Sequence, residues 1–248
     1  MFIDFNGLAC FDLETACSHH DLDSLGESNP RLRDLWIDLH NKSVSRGEDR
    51  FLNSDPDESY ILNAGLYAEF ARIVCASFTS FSPEEESIKA VSLVGDDEKG
   101  IIRMTNKIFS HSAWISGHNI KGFDIPFFSK RAYINGIKPD ESIDLISKKP
   151  WDVRIIDTKD IWNFGAYGKG TSLDLLTTCL GMESPKIEHF GAHVSNMYWN
   201  NKDYAGIAEY CEGDVISTIK VMIKISDPTR DLDSISVVKS EPKTLFVS

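Results

Sequence analysis

Asp12 and Glu14 stand two residues apart in the stretch GLACFDLETAC (residues 7–17), where strand-forming apolar residues surround two acids. Side chains at i and i+2 of a strand share a face, so both carboxylates stand together near the end of a mostly buried strand. Unpaired buried charge is costly, adjacent like charges are worse, and this window holds no Lys or Arg to neutralise them. A third acid sits in a helix expected over 204–225. There Cys211, Thr218, Val221, Met222 and Ile225 fall within about 60° of Ile207, and Asp214 lies about 20° from the centre of that inward stripe. Tyr210, four residues earlier, shares the face. A fourth, Asp124, precedes Pro126, a residue tolerated in a helix's first turn, and is expected at the N-cap of a helix over 125–135. Capping alone explains Asp124 in isolation. Four acids on three elements ask for a shared partner, and a hard divalent cation, Mg²⁺ or Mn²⁺, prefers such oxygen ligands.

The rest of the chain must position them. Its 248 residues, 42% apolar and 10% aromatic, suffice for one large core. No apolar run is long enough to span a membrane and no basic, apolar leader opens the chain, so no membrane role is expected. Five scattered cysteines suit a reducing cytoplasm better than a disulfide framework. A net charge of −12 argues against coating nucleic acid by charge alone, though not against meeting phosphates through metal ions.

Strands are expected at 8–13, 72–79, 90–95, 113–117 and 153–157, and helices at 97–110, 125–135, 158–164, 172–180 and 204–225. The pattern is α/β, an antiparallel meander followed by helical crossovers. Thr171 and Asp174 give the helix at 172–180 a capping-box-like start, and Gly181 waits beyond its end. A polar insertion at about 18–66 holds one amphipathic helix carrying Leu32, Leu35, Trp36 and Leu39 after Pro30. From about 227 the tail lacks a period and is expected to be only partly ordered.

FDLET, HNIKGFD and YCEGD resemble, in order, the three exonuclease motifs of the DEDD superfamily, and Tyr210 four residues before Asp214 resembles its tyrosine branch. Similarity extends through most of 8–225 to stand-alone bacterial predicted 3′–5′ exonucleases related to the proofreading domains of family B DNA polymerases. The resemblance implies an RNase H-like α/β fold, a five-stranded mixed sheet flanked by helices, in one exonuclease domain over 1–226. It implies two divalent metal ions, Mg²⁺ or Mn²⁺, with Asp12 shared between them. Glu14 and Asp214 would complete one site, Asp124 would hold the second ion, and Tyr210 would orient the attacking water. It also implies a nucleic-acid partner with a single-stranded 3′ end, DNA ahead of RNA, cut to nucleoside 5′-monophosphates.

Asn119, Lys121, Phe123 and Arg131 surround Asp124 in sequence and are the candidate substrate contacts. For Lys121, Lys130 and Arg131 a solvated helix face is the plainer reading. Alternation turns Phe11 and Leu13 away from Asp12, into the core. Cys10, Cys17, His19 and His20 match no common zinc spacing. GAYGKG (165–170) follows a helix rather than a strand and reads as a connection. His118 reads as structural. An RNA-trimming nuclease and a non-catalytic nucleic-acid-binding module are the alternatives to a DNA exonuclease. Retention of all four acids and Tyr210 weighs against the module.

Overall fold

In a computed structural model of the chain the residues described are 3–149, 152–166, 170–183 and 191–247. The framework is a mixed sheet of β1 (Leu8–Cys17), β2 (Ala71–Ser82), β3 (Ser87–Gly95), β4 (Trp114–Gly117) and β5 (Ile155–Asp157). β1 pairs antiparallel with β2 and β2 with β3, while β4 lies parallel to β1 and β5 parallel to β4. These are the five expected strands. Two more, β6 (Ser236–Lys239) and β7 (Lys243–Leu245), pair in parallel with β3, so the sheet has seven. Both arise from the stretch expected to be a partly ordered tail. Three- and four-residue strands show no legible period, and their outer edge is exposed.

Helices α4 (Glu98–His111) and α5 (Asp124–Ile134) cover one face of the sheet. Beneath them Phe11 packs on Phe78, Phe109 and Phe128 at ring separations of 5.1, 4.9 and 6.2 Å. Burying Phe11 and Leu13 in this layer turns Asp12 and Glu14 to the opposite face, because neighbours alternate along a strand. Across that face runs α9 (Tyr204–Ser226), its Ile207, Cys211, Ile219 and Met222 buried against β1, β2 and β3. α6 (Thr158–Asn163) follows β5 directly, and α7 (Leu173–Cys179) and α8 (Gly191–Asn196) precede α9.

The insertion holds three α-helices rather than one: α1 (Leu22–Ser28), α2 (Pro30–Ser45) and α3 (Pro56–Asn63). Trp36 is fully buried between Phe51, Tyr60 and Phe70, and its indole N–H donates to the Pro56 carbonyl at 3.0 Å. The segment therefore has its own small core, continuous with the inner end of β1 at Cys17. A 3₁₀ turn, Ala64–Leu66, returns the chain to the sheet. There the Thr15 hydroxyl donates to the Gly65 carbonyl at 2.6 Å. Among the described residues no helix is long and apolar enough to cross a membrane.

Candidate active site

Strand β1 outruns its neighbour. β4 accompanies it only from Leu8 to Cys10 and then turns away at Gly117, where an added Cβ would lie 2.8 Å from the Phe11 carbonyl. From Phe11 onward the β4-side edge of β1 is open, the kind of crevice where α/β sheets hold ligands. On the other side β2 carries one extra residue, so that Glu14 faces Cys75 and Thr15 faces Ile73. Such bulges re-aim side chains.

The open edge is filled by acids. Asp12 and Glu14 from β1, Asp124 from the start of α5 and Asp214 from α9 line one cleft of about 210 Å³ with Leu66, His118, Asn119 and Phe123. Asp124 is the first residue of α5, one position past the expected N-cap, which is Phe123 and makes no side-chain cap bond. Freed from capping, the Asp124 carboxyl accepts hydrogen bonds from its own backbone N–H and from that of Leu13. Similarly, α7 is capped by Ser172, whose hydroxyl accepts from Leu175 N–H at 3.2 Å, and not by Thr171.

The carboxylates strain one another. Burial raises Asp12 well above the usual carboxylate range, and the charges of Asp124, Asp214 and Glu14 raise it further. Glu14 is raised by burial first and then by Asp214. Asp124 is pushed up to about 8 by burial, against its two backbone hydrogen bonds and with Asp157 and Asp214 adding to the rise. Among the described residues no Lys or Arg forms an ion pair with Asp12, Glu14 or Asp124. Tyr210 is raised above its ordinary phenol value by burial and by Glu14, Asp214 and Asp12, so it stays protonated. An oxygen-rich donor set of this kind, drawn from three elements into one buried cleft, fits a divalent metal ion.

Other expected contacts fare differently. Arg131 is buried, donating to Glu98 at 2.6 and 2.8 Å and to the Ala68 carbonyl at 2.9 Å. The substrate contact expected of it is corrected to a structural ion pair between α4 and α5. Lys130 pairs at the surface with Glu69. Lys121 reaches Asp160 at 3.1 Å and stays over one-third exposed. Asn119 and Phe123 line the cleft, Asn119 in the left-handed region with its side-chain oxygen accepting from Lys159 at 2.9 Å. Both ring nitrogens of His118 are engaged, by Thr158 and the Thr171 carbonyl, at 2.9 Å each. Cys10 touches Met222, whereas His20 bonds Asp21 and Asn200, so the two do not approach a common point. Of GAYGKG, residues 167–169 lie outside the described residues.

Two residues near the site escaped the sequence reading. Asp157, buried at the end of β5, accepts from the backbone N–H groups of Asn119, Lys121 and Lys159 at 2.9, 3.1 and 3.0 Å. It clamps the loop that delivers Asp124. Its signal was an acid between a strand and a helix, where N-caps sit. Cys211, legible only as one more apolar position of α9, places its sulfur 3.5 Å from a carboxylate oxygen of Asp12.

A larger cavity, about 720 Å³, opens at the other end of β1 between Phe5, Phe81, Ile223 and Arg230. Its Lys89 and Arg230 pair with Glu85 and Glu86, and the four acids are elsewhere.

Over residues 65–244 the sequence matches the family described as a predicted 3′–5′ exonuclease related to the exonuclease domain of PolB. The matched stretch contains Asp124, Tyr210, Asp214 and β6; Asp12 and Glu14 lie ahead of it. No curated protein matches the chain. Among solved structures it is similar to the family B DNA polymerase from the hyperthermophilic archaeon Pyrobaculum calidifontis. The TM-score is 0.53 at 17% identity, over 88% of this chain and 24% of that one. The likeness is one of fold, an RNase H-like sheet flanked by helices, and this chain spans about a quarter of the polymerase's length. The chain belongs to the family of predicted 3′–5′ exonucleases related to the exonuclease domain of PolB, hydrolytic nucleases acting on nucleic acid.

Proposed function

We propose that the protein removes nucleotides from single-stranded 3′ ends, DNA in preference to RNA, releasing nucleoside 5′-monophosphates. The observation that carries this reading is the meeting of four carboxylates from β1, α5 and α9 at the open edge of β1. Asp12, Glu14, Asp124 and Asp214 would hold two divalent ions, Mg²⁺ or Mn²⁺, which when bound would supply activation of the attacking water and neutralisation of charge at phosphorus. Asp12, whose carboxyl feels the charges of the other three acids, would help to hold both ions, together with Glu14, Asp214 and Asp124.

The chain's own groups do the positioning. The Tyr210 phenol, protonated throughout the working pH range, aligns the attacking water by a hydrogen bond and does not remove its proton. Asn119, held over Lys159, and Phe123 border the cleft where the terminal nucleotide enters, and the part-exposed Lys121 stands where the backbone leaves. Leu66, an exposed apolar side chain, also lines the cleft.

Incubating the protein with 5′-labelled DNA and RNA strands, each with a free or a blocked 3′ end, tests the reading. Stepwise shortening of the free DNA strand in Mg²⁺ or Mn²⁺, halted by EDTA, is expected. Equal cutting of 3′-blocked strands, or faster degradation of RNA than of DNA, would overturn the corresponding part of it.

A further inference from the structure

Cys211 is fully buried on α9, between Tyr210 and the turn that carries Asp214. Its sulfur lies 3.5 Å from Asp12 Oδ2 and 3.6 Å from the Asp12 carbonyl, so one thiol ties the site's central acid to the helix bearing the other two groups. Ligand atoms of Asp12, Glu14 and Cys211 all lie within 4.8 Å of one another. A second buried thiol, Cys75, faces Glu14 across the β1–β2 pair and lies 3.7 Å from the Ser77 hydroxyl. An apolar residue could fill the same helix position without placing a donor against a carboxylate.

We propose that Cys211 positions Asp12 and thereby sets which ions the centre takes. This rests on the proposed divalent-ion centre. From 3.5 Å the thiol donates to Asp12 Oδ2 and fixes that carboxylate for a hard ion. A thiophilic ion such as Zn²⁺ or Cd²⁺ recruits the sulfur itself as a third ligand beside Asp12 and Glu14. In that exchange the S–H bond breaks, its proton passes to the buffer and a sulfur–metal bond forms. The thiophilic ion then occupies the place of Mg²⁺ or Mn²⁺ and acts as an inhibitor.

The test compares the full-length protein with Cys211→Ser and Cys211→Ala, using Mn²⁺ affinity and the ultraviolet sulfur-to-cadmium charge-transfer band. Melting in EDTA records whether each variant folds. The wild type should show a cadmium–sulfur band that excess Mn²⁺ removes. Cys211→Ser, which keeps a donor, should retain Mn²⁺ binding and lose that band. Cys211→Ala should lose the band and bind Mn²⁺ about tenfold more weakly. A band of full strength in Cys211→Ser, or unchanged Mn²⁺ affinity in Cys211→Ala, would overturn the role of Cys211 and leave the metal centre standing. A wild-type protein that binds no Mn²⁺ would overturn the centre and this inference with it.

Discussion

Asp12 is the residue on which the others converge, and Tyr210 is the one whose role separates orientation from ligation. Replacing Tyr210 by Phe keeps the ring and deletes one hydrogen bond. The expected cost is about 2–4 kcal/mol in the barrier, roughly 30–1,000-fold in rate, with Mn²⁺ affinity unchanged. Single-turnover cleavage beside Mn²⁺ titration checks it, and a matching loss of metal affinity would show the phenol to be a ligand. The carboxylates also set a pH dependence. Asp124 is raised from 3.8 to about 8, and Asp12 and Glu14 move the same way. Between about pH 4 and 8 the folded, metal-free protein therefore holds protons that the unfolded chain has released. Its stability should fall as pH rises through that window, while Mn²⁺ affinity rises. Melting in EDTA and in Mn²⁺ across the range should give slopes of opposite sign. The acids were legible in the sequence because charge inside an apolar period is conspicuous. Cys211 was not, because a thiol passes for a small hydrophobe, and Arg131 misled because its partner Glu98 lies on another helix.

The elements explain why one strand and two helix positions suffice. Asp157 holds the loop before α5 through three backbone donors, so Asp157→Ala should strand them at about 1–3 kcal/mol for each that water cannot reach. Catalysis should fall further than stability, since Asp124 would lose its placement. Comparing chemical denaturation with the cleavage rate tests this, and equal effects on both would reduce Asp157 to a simple cap. In the insertion, Trp36→Ala should cost about 3–5 kcal/mol, because the ring is enclosed on every side. Denaturant midpoints measure it; a loss under 1 kcal/mol would mean the three helices are not part of the cooperative fold. The long strands and α9 were readable from their periods. α1 and α3, with 7 and 8 residues, complete too few turns to show one. Their caps, Asp21 with Ser24 and Asp55 before Pro56, were the available signal.

For the whole molecule, a chain of net charge −12 that works on a polyanion needs local reversal of sign at its site. On the proposed reading divalent ions would provide it and should also stabilise the fold: at 100 times Kd, by about 2.7 kcal/mol, or roughly 5–10 °C in Tm. A melting curve indifferent to Mn²⁺ would contradict that. The C-terminal strands, unreadable alone because their pairing depends on β3, close that edge of the sheet. Most directly, the account is tested by following a 5′-labelled single strand in Mg²⁺ with the wild type and with Asp12→Ala. It predicts a ladder shortening from the 3′ end for the wild type, abolished by EDTA and at least about 1,000-fold slower in the variant. Wild-type cleavage by Asp12→Ala, or cleavage that persists in EDTA, would contradict it.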